Sequence, residues 1–318
     1  MLLVLRDDQF LAHATPAGHP ECPARYRAVE RALRDAGLAP PAVQYAAPRM
    51  ASAAALARVH HPGYLERLER FCAAGGGSLD PDTHVVEASW TVACLAAGAA
   101  LDGVRHVWSG AGRCAFCITR PPGHHARPDA PMGFCIFNNI AVGAAAALAE
   151  YGAERVLIVD WDLHHGNGTQ EAFYEDPRIF YFSMHRFPFW PGSGGEREEG
   201  RGPGLGFTLN LPLEEDTPRA EIRLRFRRAL EMIAARFSPR LVLLSAGFDM
   251  HRQDPLGGLS LEASDFGEMT HEVAEVFLKT GALGIVSCLE GGYHLEALAQ
   301  SAASHVKALY EIDAAKGH

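Results

Sequence analysis

Apolar positions along the chain gather into short runs separated by longer stretches with helical spacing. The runs occupy residues 2–5, 115–119, 155–160, 179–184, 207–211, 240–246 and 284–289. They are rich in Val, Ile, Leu and Phe at consecutive positions, the pattern of strands covered on both faces. Helical patterns lie between most of them. Residues 87–102 and 139–151 are Ala-rich and apolar around most of their circumference. Residues 219–236 and 263–279 put their charges on one face, and 294–311 read as a closing helix. Another helix is expected to start at H-P-G-Y-L-E-R-L, from His61. Strands alternating with helices predict an α/β protein with a mostly parallel central sheet and helices on both faces. No Ser/Pro/Gly linker or internal repeat divides the 318 residues, so a single domain over 1–318 is expected.

The longest irregular segment is 185–206, H-R-F-P-F-W-P-G-S-G-G-E-R-E-E-G-R-G-P-G-L-G. A loop of this length inside a compact domain points to function. Phe187, Phe189 and Trp190 suit an ordered wall, and Gly194 to Gly206 are expected to be the mobile half.

Composition excludes several classes. The net charge of −9 argues against a nucleic-acid partner, which needs a basic face. No apolar run is long enough to span a membrane, and the start M-L-L-V-L-R-D-D-Q-F does not have the form of a signal peptide. The expected location is therefore cytoplasmic. Seven cysteines, an odd number, suit reduced thiols. Cys114 and Cys117 form C-x-x-C, but positions i and i+3 of a strand face opposite ways, so core packing is expected.

Four runs end in chemically loaded residues: R-P-P-G-H-H after 115–119, D-W-D-L-H-H after 155–160, G-F-D after 240–246, and E-G-G-Y after 284–289. In open α/β sheets ligands bind beyond the carboxyl ends of the strands, so a parallel sheet would bring all four sets to one edge. Asp162 and His164, two apart in extended chain, share a face and can reach one ion, with Asp249 the best-placed third ligand. Three protein ligands and an open position describe a catalytic zinc site; the oxygen-rich set also suits iron(II), cobalt(II) or manganese(II). Each motif alone has a plainer reading. D-x-H is frequent, G-F-D can be a turn or helix cap, E-G-G-Y can be a tight turn, and His60-His61 look structural.

Together, R-P-P-G-H-H-A (120–126), G-F-C-I-F-N-N-I-A (133–141), V-D-W-D-L-H-H-G-N-G-T-Q (159–170), S-A-G-F-D (245–249) and E-G-G-Y (290–293) resemble the histone deacetylase superfamily. That superfamily also includes acetylpolyamine amidohydrolases and acetoin-utilisation proteins. G-H-P-E-C-P-A-R (18–25) is similar to its N-terminal loop motif, and the matches run from about residue 13 to 294. Asn167 and Glu290 are more similar to the class II branch, which makes a class II-like bacterial deacetylase the expected kind.

The resemblance implies a three-layer arginase-deacetylase fold and one zinc ion per chain, held by Asp162, His164 and Asp249. It implies His124, paired with Asp160, and His125, paired with Asn167, beside the attacking water. A structural potassium ion is implied near Asp160, Asp162, His164, Ser183 and Met184. Tyr293 would point at the substrate carbonyl. Phe134 and Trp190 would be opposite walls of an acyl-lysine tunnel, with Gly133 nearby. The family usually places Phe or Tyr where Trp190 stands. Polyamine-selective members carry an acidic gatekeeper where this chain has Leu256, which favours acyl-lysine in a protein or peptide over a small acylated amine. Glu21, Asp80 or Asp82 are the rim acids that could replace a gatekeeper, and Asp80 or Asp82 could grip the substrate backbone.

The expected activity is zinc-dependent hydrolysis of acyl-lysine amides, with acetylpolyamine hydrolysis as the alternative. A binuclear manganese ureohydrolase would need a second Asp where His251 stands. An inactive acyl-lysine binder would lack Tyr293 or a histidine. Self-association into a homo-oligomer is compatible with all of these.

Overall fold

The computed structural model describes residues 1–315, so the last three residues of the expected domain lie outside the described residues. The strands are β1 (Leu3–Leu5), β2 (Gln44–Ala46), β3 (Gly76–Ser78), β4 (His84–Val86), β5 (Cys114–Cys117), β6 (Val156–Asp160), β7 (Ile179–Arg186), β8 (Thr208–Leu213), β9 (Leu241–Ala246) and β10 (Ile285–Leu289). The helices are α1 (Pro23–Asp35), α2 (Ala53–Leu56), α3 (Pro62–Ala73), α4 (Ser89–Trp108), α5 (Asn139–Tyr151), α6 (Asn167–Phe173), α7 (Arg219–Ala234), α8 (Ala263–Phe277) and α9 (Leu295–Ala314).

Eight strands make one sheet in the order β2-β1-β5-β10-β9-β6-β7-β8, and every neighbouring pair is parallel. β3 and β4 form a separate antiparallel hairpin. Alternation along each strand divides its side chains between two cores. Leu157 and Val159 of β6, with Val242 and Leu244 of β9, join the core built with α1, α7, α8 and α9. Val156, Ile158, Leu241 and Leu243 join the core on the other face, built with α4 and α5. Burial on both faces is why these strands read as continuous apolar runs rather than alternating ones. Cys114 and Cys117 belong to opposite cores, and both are free and buried.

Local chemistry sets the helix ends that matter. The Asn138 side chain accepts a bond from Ala141 N and starts α5, while Gly152, at φ +67°, ends it in the left-handed conformation that favours glycine. His61 caps α3 by accepting from Gly63 N. Its neighbour His60 is buried, with ring nitrogens bonded to Arg127 O and Asn138 N. The irregular segment is anchored: Glu198 Oε1 accepts from Gly194 N and Gly195 N, Arg201 N donates to Tyr174 O, and Gly206 N donates to Glu199 O. Its second half thus has the internal ties that a mobile loop lacks. No helix among the described residues is long and apolar enough to cross a membrane.

Candidate active site and metal centre

The parallel sheet delivers the four loaded strand ends to one edge. β6 pairs with both β7 and β9 so that Asp160 stands opposite Ser183 on one side and Ser245 on the other. Beyond that edge, ligand atoms of Asp162, His164 and Asp249 all lie within 4.8 Å of one another. His164 Nδ1 is 3.2 Å from Asp162 Oδ1 and 3.1 Å from Asp249 Oδ2. The remaining carboxylate capacity is used by backbone donors: Gly291 N and His164 N to Asp162, and Leu163 N to Asp249. A Cβ on Gly291 would lie 2.4 Å from Asp249 Oδ2 and 2.5 Å from Asp162 Oδ2, so only glycine fits against the centre.

The electrostatics suit a cation. Two buried carboxylates face each other across one imidazole. Burial and the Asp162 charge push the Asp249 carboxyl up to about 7. Burial opposes a charge on His164, yet the two carboxylates outweigh it and raise its pKa to about 9. The group therefore attracts positive charge, and a dication is the species that balances both carboxylates at once. Among the described residues it is the one such group. His251 turns away: its Nδ1 accepts from Gln253 N and its Nε2 faces Glu262 at 3.8 Å.

The tandem histidines lie beside this centre with ring centroids 3.9 Å apart. His124 Nδ1 is 3.0 Å from Asp160 Oδ2, which also accepts from the Tyr181 hydroxyl at 3.0 Å, while Asp162 N donates to Asp160 Oδ1. Burial raises the Asp160 pKa, and His124 together with the Asp162 N–H works against that rise. Burial disfavours a charged His124, but Asp160 and Asp162 prevail and push its pKa up to about 10. His125 Nδ1 is 2.8 Å from the neutral Asn167 Oδ1 at the start of α6. Burial, then the charges on His124 and His164, hold His125 well below the usual histidine range. One ring is thus poised charged and the other neutral.

A cavity of about 240 Å³ leads to these groups, lined by Asp82, His125, Gly133, Phe134, His164, Phe189, Trp190, Leu256 and Tyr293. Trp190 stands edge-on to His125, with centroids 4.6 Å apart, and Phe189 stacks on His164. Phe134 adopts φ 68°, a left-handed conformation costing a non-glycine residue roughly 1–2 kcal/mol, and Thr83 Oγ1 accepts from its N–H. The Tyr293 ring lies between Phe134 and the Arg25 guanidinium, 4.9 Å from the ring centre. A larger groove of about 1000 Å³ runs past Asn167 and Glu198 but includes none of the three ligand residues.

Of the expected rim acids, Asp82 lines the cavity, and Asp80 accepts from Asp82 N and Thr83 N in the same turn. Glu21 is not on the rim: it is fully buried and bonded to Arg120 and Arg25. That placement corrects its reading as a surface acid. Met184 is buried in β7 beside Ser183, whose hydroxyl meets His185 Nδ1 at 2.9 Å. Sequence reasoning missed the support beneath the site. Glu290 Oε2 accepts from Gly123 N and His124 N, and its Oε1 accepts from Ser245 Oγ. Arg25 donates to Gly292 O and Glu290 O, and Asp254 accepts from Tyr293 N. A buried arginine four residues from a glutamate looks like an ordinary surface pair in sequence.

Comparison with known proteins agrees with this geometry. The family model described as histone deacetylase domain matches residues 19–309. A histone deacetylase-like amidohydrolase of Pseudomonas aeruginosa is 39% identical over 87% of this chain and 73% of its own. The polyamine deacetylase HDAC10 of Homo sapiens is 39% identical over 91% of this chain, which spans 45% of that longer protein. The crystal structure of the HDA15 HD domain superposes with TM-score 0.91 at 35% identity, covering 98% of this chain and 88% of that one. A parallel sheet whose strand ends converge on an Asp/His/Asp group, under a family match covering most of the sequence, places this chain in the histone deacetylase family of amide hydrolases.

Proposed function

We propose that residues 1–318 form a single zinc-dependent deacylase domain that removes acetyl or related acyl groups from the lysine side-chain amine of proteins or peptides. The observation that supports this best is the largely apolar cavity lined by His125, Tyr293 and His164, the last of these a member of the three-ligand group, with His124 packed beside His125.

Asp162, His164 and Asp249 would hold the zinc. Bound zinc supplies Lewis acidity, lowering the pKa of a water to about 7 and polarising a carbonyl. His125, neutral and 4.6 Å from the Trp190 wall, takes the proton of the attacking water as general base. Asn167 accepts the proton on Nδ1 and so fixes the tautomer that leaves Nε2 free. Charged His124 sets the local field and stays paired with Asp160. Burial holds the Tyr293 phenol well above its usual range, so it stays protonated and donates to the developing oxyanion. His125 then returns its proton to the departing amine as the C–N bond breaks, leaving a carboxylate and a free lysine. Gly133, Phe134, Trp190 and Leu256 line the path of the acyl-lysine chain. Asp160 and Ser183, opposite each other across β6 and β7, with Asp162, His164 and Met184, would surround a structural potassium ion.

Acetylpolyamine hydrolysis is the second reading. Asp82 at the mouth and the likeness to a polyamine deacetylase support it, while the apolar Leu256 weighs against it. Measuring kcat/KM on an acyl-lysine peptide panel alongside acetylspermine and acetylputrescine separates them. A large preference for the polyamines overturns the lysine assignment. A zinc-replete protein inert to every N-acyl amine overturns both.

A further inference from the structure

We propose that Asp254 is the positioning residue for Tyr293: its carboxylate fixes the backbone that aims the phenol at the reacting carbonyl, and ties that backbone to the tunnel mouth. The proposal rests on the deacylase reading above and adds a residue to it.

Asp254 lies five residues beyond Asp249, in the loop that follows β9. The loop after β10 carries Tyr293. Asp254 Oδ2 accepts from Tyr293 N at 2.6 Å and from His294 N at 3.3 Å. Its Oδ1 accepts from Leu256 N at 3.0 Å. One side chain, only 8% exposed, thus satisfies three backbone donors on two loops. Two of those donors belong to residues that line the cavity, Leu256 and Tyr293.

Two ring contacts hold the Tyr293 side chain. Phe134 stands edge-on to it and the Arg25 guanidinium lies over it. Such contacts leave the ring free to slide in its plane, and the reach of its hydroxyl then depends on where the backbone sits. Gly292, at φ +116°, precedes Tyr293 and is a soft joint. The peptide that follows it is gripped at both edges: Arg25 Nε donates to Gly292 O at 2.6 Å, and the Asp254 carboxylate, a charge-assisted acceptor, takes the Tyr293 N–H. The deeper link between the two loops, Phe248 N to Gly291 O, lies on the far side of that joint and cannot do this. Hydrogen-bond donors aimed at a developing charge lose their effect with small displacements, so the loss of this tie falls on the transition state.

A double-mutant cycle tests the assignment. Wild type, Asp254→Asn, Tyr293→Phe and the double variant are assayed on an acetyl-lysine peptide, with zinc content and thermal unfolding measured on each. Asp254→Asn is expected to lower kcat by about tenfold or more, with KM changed by less than about twofold and zinc retained. In the Tyr293→Phe background the same change should cost less than about twofold, because its target is gone. Losses that multiply in the double variant, a shift in KM in place of kcat, or unchanged turnover each overturn the proposal. If Asp254→Asn does not fold, Asp254→Ser, which keeps one acceptor, replaces it in the cycle. Failure of both to fold makes Asp254 a folding residue and ends the assignment. If Tyr293→Phe itself leaves turnover unchanged, the deacylase mechanism fails first.

Discussion

The His125 imidazole meets the Asn167 carboxamide at 2.8 Å, Nδ1 to Oδ1, while its neighbour His124 meets a carboxylate. The two rings are almost in contact, so charging one suppresses charging of the other. The neutral partner at 167 is what lets His125 stay the unprotonated member. Asn167→Asp should therefore raise the His125 pKa and move the acidic limb of the kcat/KM–pH profile to higher pH by about one unit. An acidic limb that stays in place would show that His125 is not the base.

Tyr293 lines the cavity, and burial holds its phenol well above the usual tyrosine range, in the protonated form. Removing one oxyanion-hole donor costs a serine protease about 3 kcal/mol. Tyr293→Phe should cut turnover on acetyl-lysine by at least about tenfold while leaving the metal content equal to that of the wild type. Steady-state assays paired with metal analysis read both quantities.

Much of this arrangement was legible in sequence because parallel strands buried on both faces are continuous apolar runs. Such a run marks its own carboxyl end, and D-W-D-L-H-H follows β6 without a spacer. α1 was hidden because its charges surround Tyr26, Val29 and Leu33, and its first turn lies in the loop motif G-H-P-E-C-P-A-R; Pro23 at its start was the available signal. The three-residue strands β2, β3 and β4 are too short to show a period. Glu21 read as a rim acid because its near partner Arg25, four positions on, looks like an exposed ion pair, and the partner that buries it, Arg120, stands 99 positions away. Long-range pairing of buried charge is a property of the packed molecule, and residue order does not encode it locally.

Trp190 is 40% exposed and leans over the cavity so closely that a Cβ on Gly133 would lie 2.5 Å from its ring. Trp190→Phe removes ring atoms from this wall. Longer acyl chains should then gain relative to acetyl, by about fourfold for each methylene that becomes buried, from ~0.8 kcal/mol per group. Competition assays with acetyl-, butyryl- and hexanoyl-lysine peptides read the ratio. A constant ratio across the series would place the length limit elsewhere.

Leu256 lines the mouth, and Asp254 bonds to its N–H. A carboxylate there would face the distal ammonium of an acetylpolyamine in a partly screened setting. Leu256→Glu should raise kcat/KM for acetylspermine by about fivefold or more at low salt, roughly 1 kcal/mol of attraction, and the gain should shrink as salt rises. A gain that ignores ionic strength would not be electrostatic.

His305 tests the fold away from the active site. It is fully buried on α9, with Nδ1 2.6 Å from Thr270 Oγ1 and Nε2 2.8 Å from Ser287 Oγ. Phe116, Trp161 and Phe248 surround the ring, and among the described residues burial is the one influence on its charge. Burial pushes its pKa down to about 3, against about 6.5 for an unfolded chain. Between those values the unfolded chain carries a proton that the folded chain refuses, so acid favours unfolding. The stability that depends on neutral His305 is complete above about pH 6.5 and falls steadily as pH drops toward 3. His305→Gln offers one donor and one acceptor and does not titrate. It should cost about 1 kcal/mol at pH 7 through poorer hydrogen bonds, yet lose less stability than wild type between pH 6.5 and 4.5. Urea unfolding at several pH values gives both slopes. Parallel slopes would mean that the folded protein accepts a charge at His305, which its apolar surroundings should forbid.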